Sequence, residues 1–179
     1  LNINKLIRVI KLGKPVERND NPGKRLLNMI RIALGQSKIV TKPISGILHV
    51  IVYVGFIIIN IEILEIINDY RITNGMNALS NNGTVKAVAY THTDYMVEVS
   101  NVSHDNFYVR KQSLQQNENA QIVSENVAYG YTSANSVVNA WLNSPSHKST
   151  IEGNFTDFDI SAEQDEDGNW YFTNIFIKR

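Results

Sequence analysis

Eighteen consecutive residues, Ile44 to Ile61 (ISGILHVIVYVGFIIINI), contain no Asp, Glu, Lys or Arg. As a helix rising about 1.5 Å per residue, such a run spans roughly 27 Å, against about 30 Å for the hydrocarbon core of a bilayer. It is longer than the apolar core of a signal peptide, and no small-residue cleavage site follows it. Charge is distributed unevenly around it. Residues 1–43 hold ten Lys/Arg and two Asp/Glu, whereas residues 44–179 hold seven and fifteen, so a net charge of zero conceals a basic leader and an acidic body. Basic residues on one flank of an apolar run stay on the cytoplasmic side. The run therefore reads as a signal anchor or export signal, with the body secreted or held outside the cytoplasm. The competing reading is a buried strand or helix, which Gly46, His49, Gly55 and the Ile/Val richness favour.

The leader, residues 1–43, is broken by Lys14-Pro15, by Asn19-Asp20-Asn21-Pro22-Gly23 and by Lys42-Pro43, with a short amphipathic patch around Leu26 to Leu34. The chain opens on Leu1 and its first methionine is Met29, so part of this leader is a candidate to lie ahead of the true reading start. The body has no basic stripe that could follow phosphates, which argues against a nucleic-acid partner. With no cysteine, a disulfide framework, a zinc ribbon and thiol catalysis are excluded together.

From Glu62 to Arg179 the apolar residues take up regular periods. Ile63, Ile66, Ile67 and Tyr70 recur at helical spacing, and Asn74-Gly75 is a natural stop. Val85, Val88, Ala89, His92, Tyr95, Met96 and Val99 make a second helical face. Ala134, Val137, Val138, Trp141 and Leu142 make a third, with Thr132 or Ser133 as its cap. Ser144-Pro145 reads as the cap and first-turn proline of a short helix ending before Gly153. The period then drops to two. Phe158, Ile160 and Ala162, the turn Asp165-Glu166-Asp167-Gly168, and Trp170 to Ile177 predict a β-hairpin. Helices followed by an antiparallel hairpin point to an α+β domain with helices layered on a small sheet.

Four histidines are available for chemistry: His49, His92, His104 and His147. His49 lies in the apolar run, and His92 sits on the apolar face of the second helix, where a buried structural role is the simpler reading. His104 and His147 stand in segments rich in Ser, Asn and Asp. His147 falls in the first turn of the Pro145 helix, where the positive end of the helix dipole favours the neutral ring; a role in capping that helix is the equal alternative. Glu125, within Ile122-Val123-Ser124-Glu125-Asn126-Val127-Ala128, is a lone carboxylate that is costly there unless paired or exposed. No zinc-protease His-Glu-x-x-His, nucleophile elbow or phosphate-binding glycine loop is present.

Several segments in this order resemble the CAP superfamily, or SCP domain, which includes the cysteine-rich secretory, antigen 5 and pathogenesis-related proteins. They are Ile67-Asn68-Asp69-Tyr70-Arg71, His92-Thr93-Asp94-Tyr95-Met96, Ser103-His104-Asp105-Asn106-Phe107, Ser124 to Gly130 (SENVAYG), Trp141 to His147 (WLNSPSH) and Tyr171 to Phe176 (YFTNIF). The likeness covers about residues 62–178 and is greatest to the bacterial branch. It implies a three-layer α–β–α sandwich outside the cytoplasm, with a central cleft lined by His104, Glu125 and His147. It also implies a divalent metal, commonly zinc, as a candidate occupant: two imidazoles leave positions open for water or ligand, and Glu125 is placed to orient a bound water. Where four-residue clefts of the family carry a second Glu after the helix tryptophan, this chain has Asn143 and Ser144. That departure counts against a metal centre and against a pair of acid and base carboxylates.

Three functions are then open. The first is an extracytoplasmic binding module for an unidentified ligand or protein partner. The second is a metal-assisted hydrolase of peptide or envelope material, with His104 and His147 as ligands and Glu125 as base. The third is a structural envelope domain without a working site. Hydrolases of this type ordinarily have three protein ligands, and two are clear here, which favours the binding module.

Overall fold

The computed structural model describes residues 43–179 together with Asn21, Gly23, Lys24 and Leu27; side chains are described from Ile47 onward, His49 excepted. The breakers and amphipathic patch expected in residues 1–42, and the His49 side chain, lie outside the described residues. The chain divides into a unit of Leu1–Val50 and a unit of Ile51–Arg179. The candidate site lies entirely in the second.

Helix α1 runs unbroken from Pro43 to Thr73, so the apolar run and the first helix of the body are one element, continuous across the expected boundary at 61–62. Its character changes along its length. Ile47, Leu48 and Val50 to Val54 are all exposed, whereas Ile59, Ile63, Leu64 and Ile67 are buried at helical spacing. The helix stops where Gly75 adopts φ +75°, and the Met76 amide donates back to the Arg71 carbonyl at 2.9 Å.

After a two-residue strand β1 (Ser80–Asn81) comes α2 (Gly83–Glu98). Asn82 caps α2, its side-chain oxygen accepting from the Thr84 and Val85 amides. Helix α3 (Phe107–Glu118) and strand β2 (Ile122–Tyr129) follow. Helix α4 (Ala134–Leu142) is capped by Ser133 in a reciprocal box with Ser136, and α5 (Pro145–Ile151) begins on Pro145. The hairpin is β3 (Asp157–Gln164) and β4 (Trp170–Lys178).

The sheet order is β1-β3-β4-β2, with β1 parallel to β3 and the other pairs antiparallel. Side-chain alternation sorts the core. Ala128, Phe158, Ile160, Ala162, Phe172 and Phe176 pack with α1, α4 and α5 on one face. Val123, Ile175 and Ile177 pack with Val85 and Ala89 of α2 and Leu114 of α3 on the other. The result is the expected three-layer α–β–α sandwich. Strand β2 lies at one edge of the sheet, and this position places the site.

Candidate functional site

Neighbouring residues of a strand point to opposite faces, and on β2 this sends two polar side chains to different helices. Glu125 faces α3. Its Oε2 accepts from Arg110 Nε and its Oε1 from Arg110 Nη2, both at 2.7 Å. Asn126 faces α5, where its Nδ2 donates to the His147 carbonyl at 3.1 Å. The loop carrying His104 thus closes over the β2 edge from one side, and α5 with His147 approaches it from the other.

Glu125 is 8 % exposed, and an unpaired carboxylate buried to this degree would neutralise. Burial does push its carboxyl up, but hydrogen bonds from His104 and Arg110 and the Arg110 charge outweigh it and hold the group below its ordinary range. As an ionised carboxylate it only accepts, so the 2.9 Å contact with His104 is an Nδ1–H donating to Oε1. The His104 tautomer follows: Nε2 carries no proton in the neutral ring and lies on the side away from Glu125. Arg110 is tied further by Nη1 donating to the Asp105 carbonyl at 2.6 Å, which fixes the His104 loop to α3.

His92 is buried, and its Nε2 donates to the Ser103 carbonyl at 2.8 Å. That Nε2 is 3.9 Å from Glu125 Oε1. Burial, above all, lowers its pKa. It braces the loop from inside, in keeping with a structural role. His147 shares a 2.9 Å hydrogen bond between its Nδ1 and Ser144 Oγ. Ser144 makes no side-chain bond to the helix amides, so it orients the ring instead of capping α5. Burial first, and then the nearby His104, lower the His147 pKa and keep the ring neutral near pH 7.

His104 and His147 line one cleft of about 480 Å³ with Val102, Ser103, Val127, Ala128, Tyr129, Tyr131, Ala140, Trp141 and Ser144. Its floor is apolar and rigid, because the buried Trp141 Nε1 donates to the Val127 carbonyl at 3.1 Å and fixes α4 against β2. Two imidazoles and two tyrosines are its polar groups with the widest reach. Such a surface accepts a small ligand by apolar contact with a few oriented hydrogen bonds.

The three candidate residues are therefore placed differently. His104 and His147 share the cleft, while Glu125 stands behind His104, outside the lining, with both oxygens engaged. Among the described residues no three or more His, Asp or Glu are grouped to hold a metal ion. The donors do not fit a centre with three protein ligands: the carboxylate is taken by Arg110, and two imidazoles remain. Arg110, Asn126, Tyr129 and Tyr131 were not legible as site residues. A signal for Arg110 existed, since a carboxylate in an apolar strand requires a cation or several donors.

A model of the cysteine-rich secretory protein family, CAP, matches residues 64–176. A Bacillus subtilis (strain 168) protein described as "Uncharacterized membrane protein YlbC" is 29% identical over 122 residues, 66% of this chain. The match covers 34% of that relative, so the chain spans about a third of its length. Among solved structures, an outer surface protein from Borrelia burgdorferi superposes with a TM-score of 0.59 at 27% identity, covering 65% of this chain and 89% of that one. An extracellular SCP-domain protein from Bacillus anthracis has a TM-score of 0.57 at 23% identity, covering 67% of this chain and 40% of that one. A cysteine-rich secretory protein from Staphylococcus aureus also has a TM-score of 0.57, at 19% identity, covering 66% and 38%. The last two likenesses are of fold alone. The family match spans more than half of the sequence, and the chain belongs to the CAP family.

Proposed function

We propose that this chain is a membrane-tethered CAP domain on the outer side of the cytoplasmic membrane, and that its cleft binds a small ligand through His104 and His147 without turning it over. The observation carrying the reading is the Arg110–Glu125 lock. A metal-assisted hydrolase needs Glu125 as a free base and a third metal ligand, and Arg110 removes both by occupying the two carboxylate oxygens. What remains is a pair of oriented imidazoles above an apolar floor. A tether is supported by the exposed apolar residues of α1, by the basic leader, and by relatives described as a membrane protein and an outer surface protein.

The test follows the imidazole carbon resonances of the full chain in detergent while peptidoglycan peptides and phospholipid headgroups are added in turn. A ligand that fills the cleft shifts His104 and His147 together, leaves His92 in place, and loses its effect in His147→Ala. Cleavage of any probe that is abolished by a chelator would instead establish the hydrolase.

A further inference from the structure

The tether and the cleft meet at one end of the domain. The Phe56 and Trp170 rings pack edge to face at 5.0 Å, so the α1 turn at Phe56 lies beside the start of β4. Tyr129 pairs with Tyr171 at that same end of the sheet, their rings 4.6 Å apart, and the Gly130 amide donates to the Trp170 carbonyl at 2.9 Å. Tyr129 and Tyr131, which this bond holds beside Trp170, are the cleft's aromatic rim. One turn before Phe56 stands the exposed Tyr53.

Length then decides how far this end sits from a bilayer. A crossing helix needs about 20 apolar residues, and the run offers 18. Six of those 18, from Phe56 onward, run alongside the domain, where Phe56 packs on Trp170 and Ile59 is buried in the core, which leaves the twelve from Ile44 to Gly55 to enter the bilayer. Within the unit of Ile51–Arg179 the helix has no break before Thr73 in which a spacer could form. If α1 crosses the membrane, the domain has no slack to stand off from it. The residues at the point of entry are tyrosine, phenylalanine and tryptophan, the side chains that settle at the headgroup layer.

We propose that this aromatic end (Tyr53, Phe56, Trp170, Tyr129 and Tyr131) is seated in the headgroup layer of the bilayer that α1 enters, so that the cleft opens directly onto the membrane surface. The proposal rests on the tether reading above. Glu125, behind His104, lies four residues along β2 from Tyr129, about 13 Å at 3.3 Å per residue. The cleft that both imidazoles line with Tyr129 and Tyr131 then opens beside the lipid, and ligands are drawn from molecules presented at the membrane surface. The hairpin turn Asp165–Gly168 overhangs the same end with Glu166 and Asp167 exposed. An anionic surface repels it, so the seat is closest on zwitterionic lipid.

The chain has no cysteine, which allows a nitroxide at one chosen position at a time. The full chain is reconstituted in phosphatidylcholine vesicles with labels at Tyr131→Cys, Glu166→Cys, Ile51→Cys and Gln115→Cys. The last is exposed on α3, toward the opposite end of the sheet. Collisions with oxygen and with a water-soluble nickel chelate then rank their depths. The expected result is lipid-like exposure at 51, water-like exposure at 115, and loss of most nickel collisions at 131 and 166 relative to 115. Labels at 131 and 166 as open to nickel as 115, with 51 in lipid, would overturn the seating and leave the tether standing. A label at 51 in water would overturn both.

Discussion

Replacing Arg110 by methionine tests the lock that sets the character of the cleft. The substitution keeps much of the aliphatic stem but removes both 2.7 Å bonds to Glu125 and the 2.6 Å bond to the Asp105 carbonyl. Both partners are nearly inaccessible, with side chains 8% and 1% exposed, so solvent does not screen the loss. Breaking a buried pair by removing one partner costs about 3–5 kcal/mol, because a charge is left without compensation. For a domain of this size that corresponds to a fall in Tm on the order of 10–20 °C. Removing both charges in Arg110→Met/Glu125→Leu should recover most of the loss, since an apolar pair of similar volume carries no desolvation penalty. Urea titration of the full chain in detergent, followed by far-ultraviolet circular dichroism, yields the two single variants, the double variant and their coupling. A cost below about 1 kcal/mol for Arg110→Met, the range of exposed pairs, would refute the claim that Glu125 is held by this contact.

Three further outcomes follow from the same geometry. His92 and His147 have pKa values below the ordinary histidine range in the folded chain, so the unfolded chain binds protons first as pH falls. Stability should decline from about pH 6.5 downward, and the depressed Glu125 loses its own contribution once pH falls into the carboxylate range; a urea midpoint unchanged between pH 7 and 5 would contradict this. Trp141→Phe strips the donor from the Val127 carbonyl and leaves a buried acceptor unpaired, costing about 1–3 kcal/mol in the same titration. Chelator treatment should leave the melting temperature unchanged, because Arg110 and not a metal balances Glu125, and a drop of several degrees would count against that assignment.

How much of this could be read in advance depends on how strongly each segment repeats. Helices α1, α2 and α4 and the hairpin were legible because a single face of each is buried, and one-sided burial writes a period into the sequence; α5, in which only Ile151 is buried, was legible from Ser144-Pro145 at its start. Helix α3 was not, because only Arg110 and Leu114 of its twelve residues are buried, too few to set a period. Strand β2 escaped for the opposite reason. Residues 125–128 are buried on both faces, so apolar and polar side chains no longer alternate. Within the site, His104 and His147 stood out from their polar surroundings, while the role of Glu125 turned on a partner fifteen residues earlier. Arg110 looks in sequence like any helix-surface cation. Only the folding of α3 over β2 brings its guanidinium to the carboxylate.

The character of the cleft turns on one hydrogen bond of His104: Nδ1–H donated to an ionised Glu125, with Nε2 on the side away from it. A long-range proton–nitrogen correlation spectrum of the imidazoles near pH 7.5 reads this pattern for each histidine. Expected are the Nδ1–H tautomer for His104, the Nε2–H tautomer for His92, whose Nε2 donates to the Ser103 carbonyl, and an Nδ1–H signal at His104 that disappears in Arg110→Met/Glu125→Leu. An Nε2–H tautomer at His104, or a His104 spectrum unmoved by the double substitution, would contradict this.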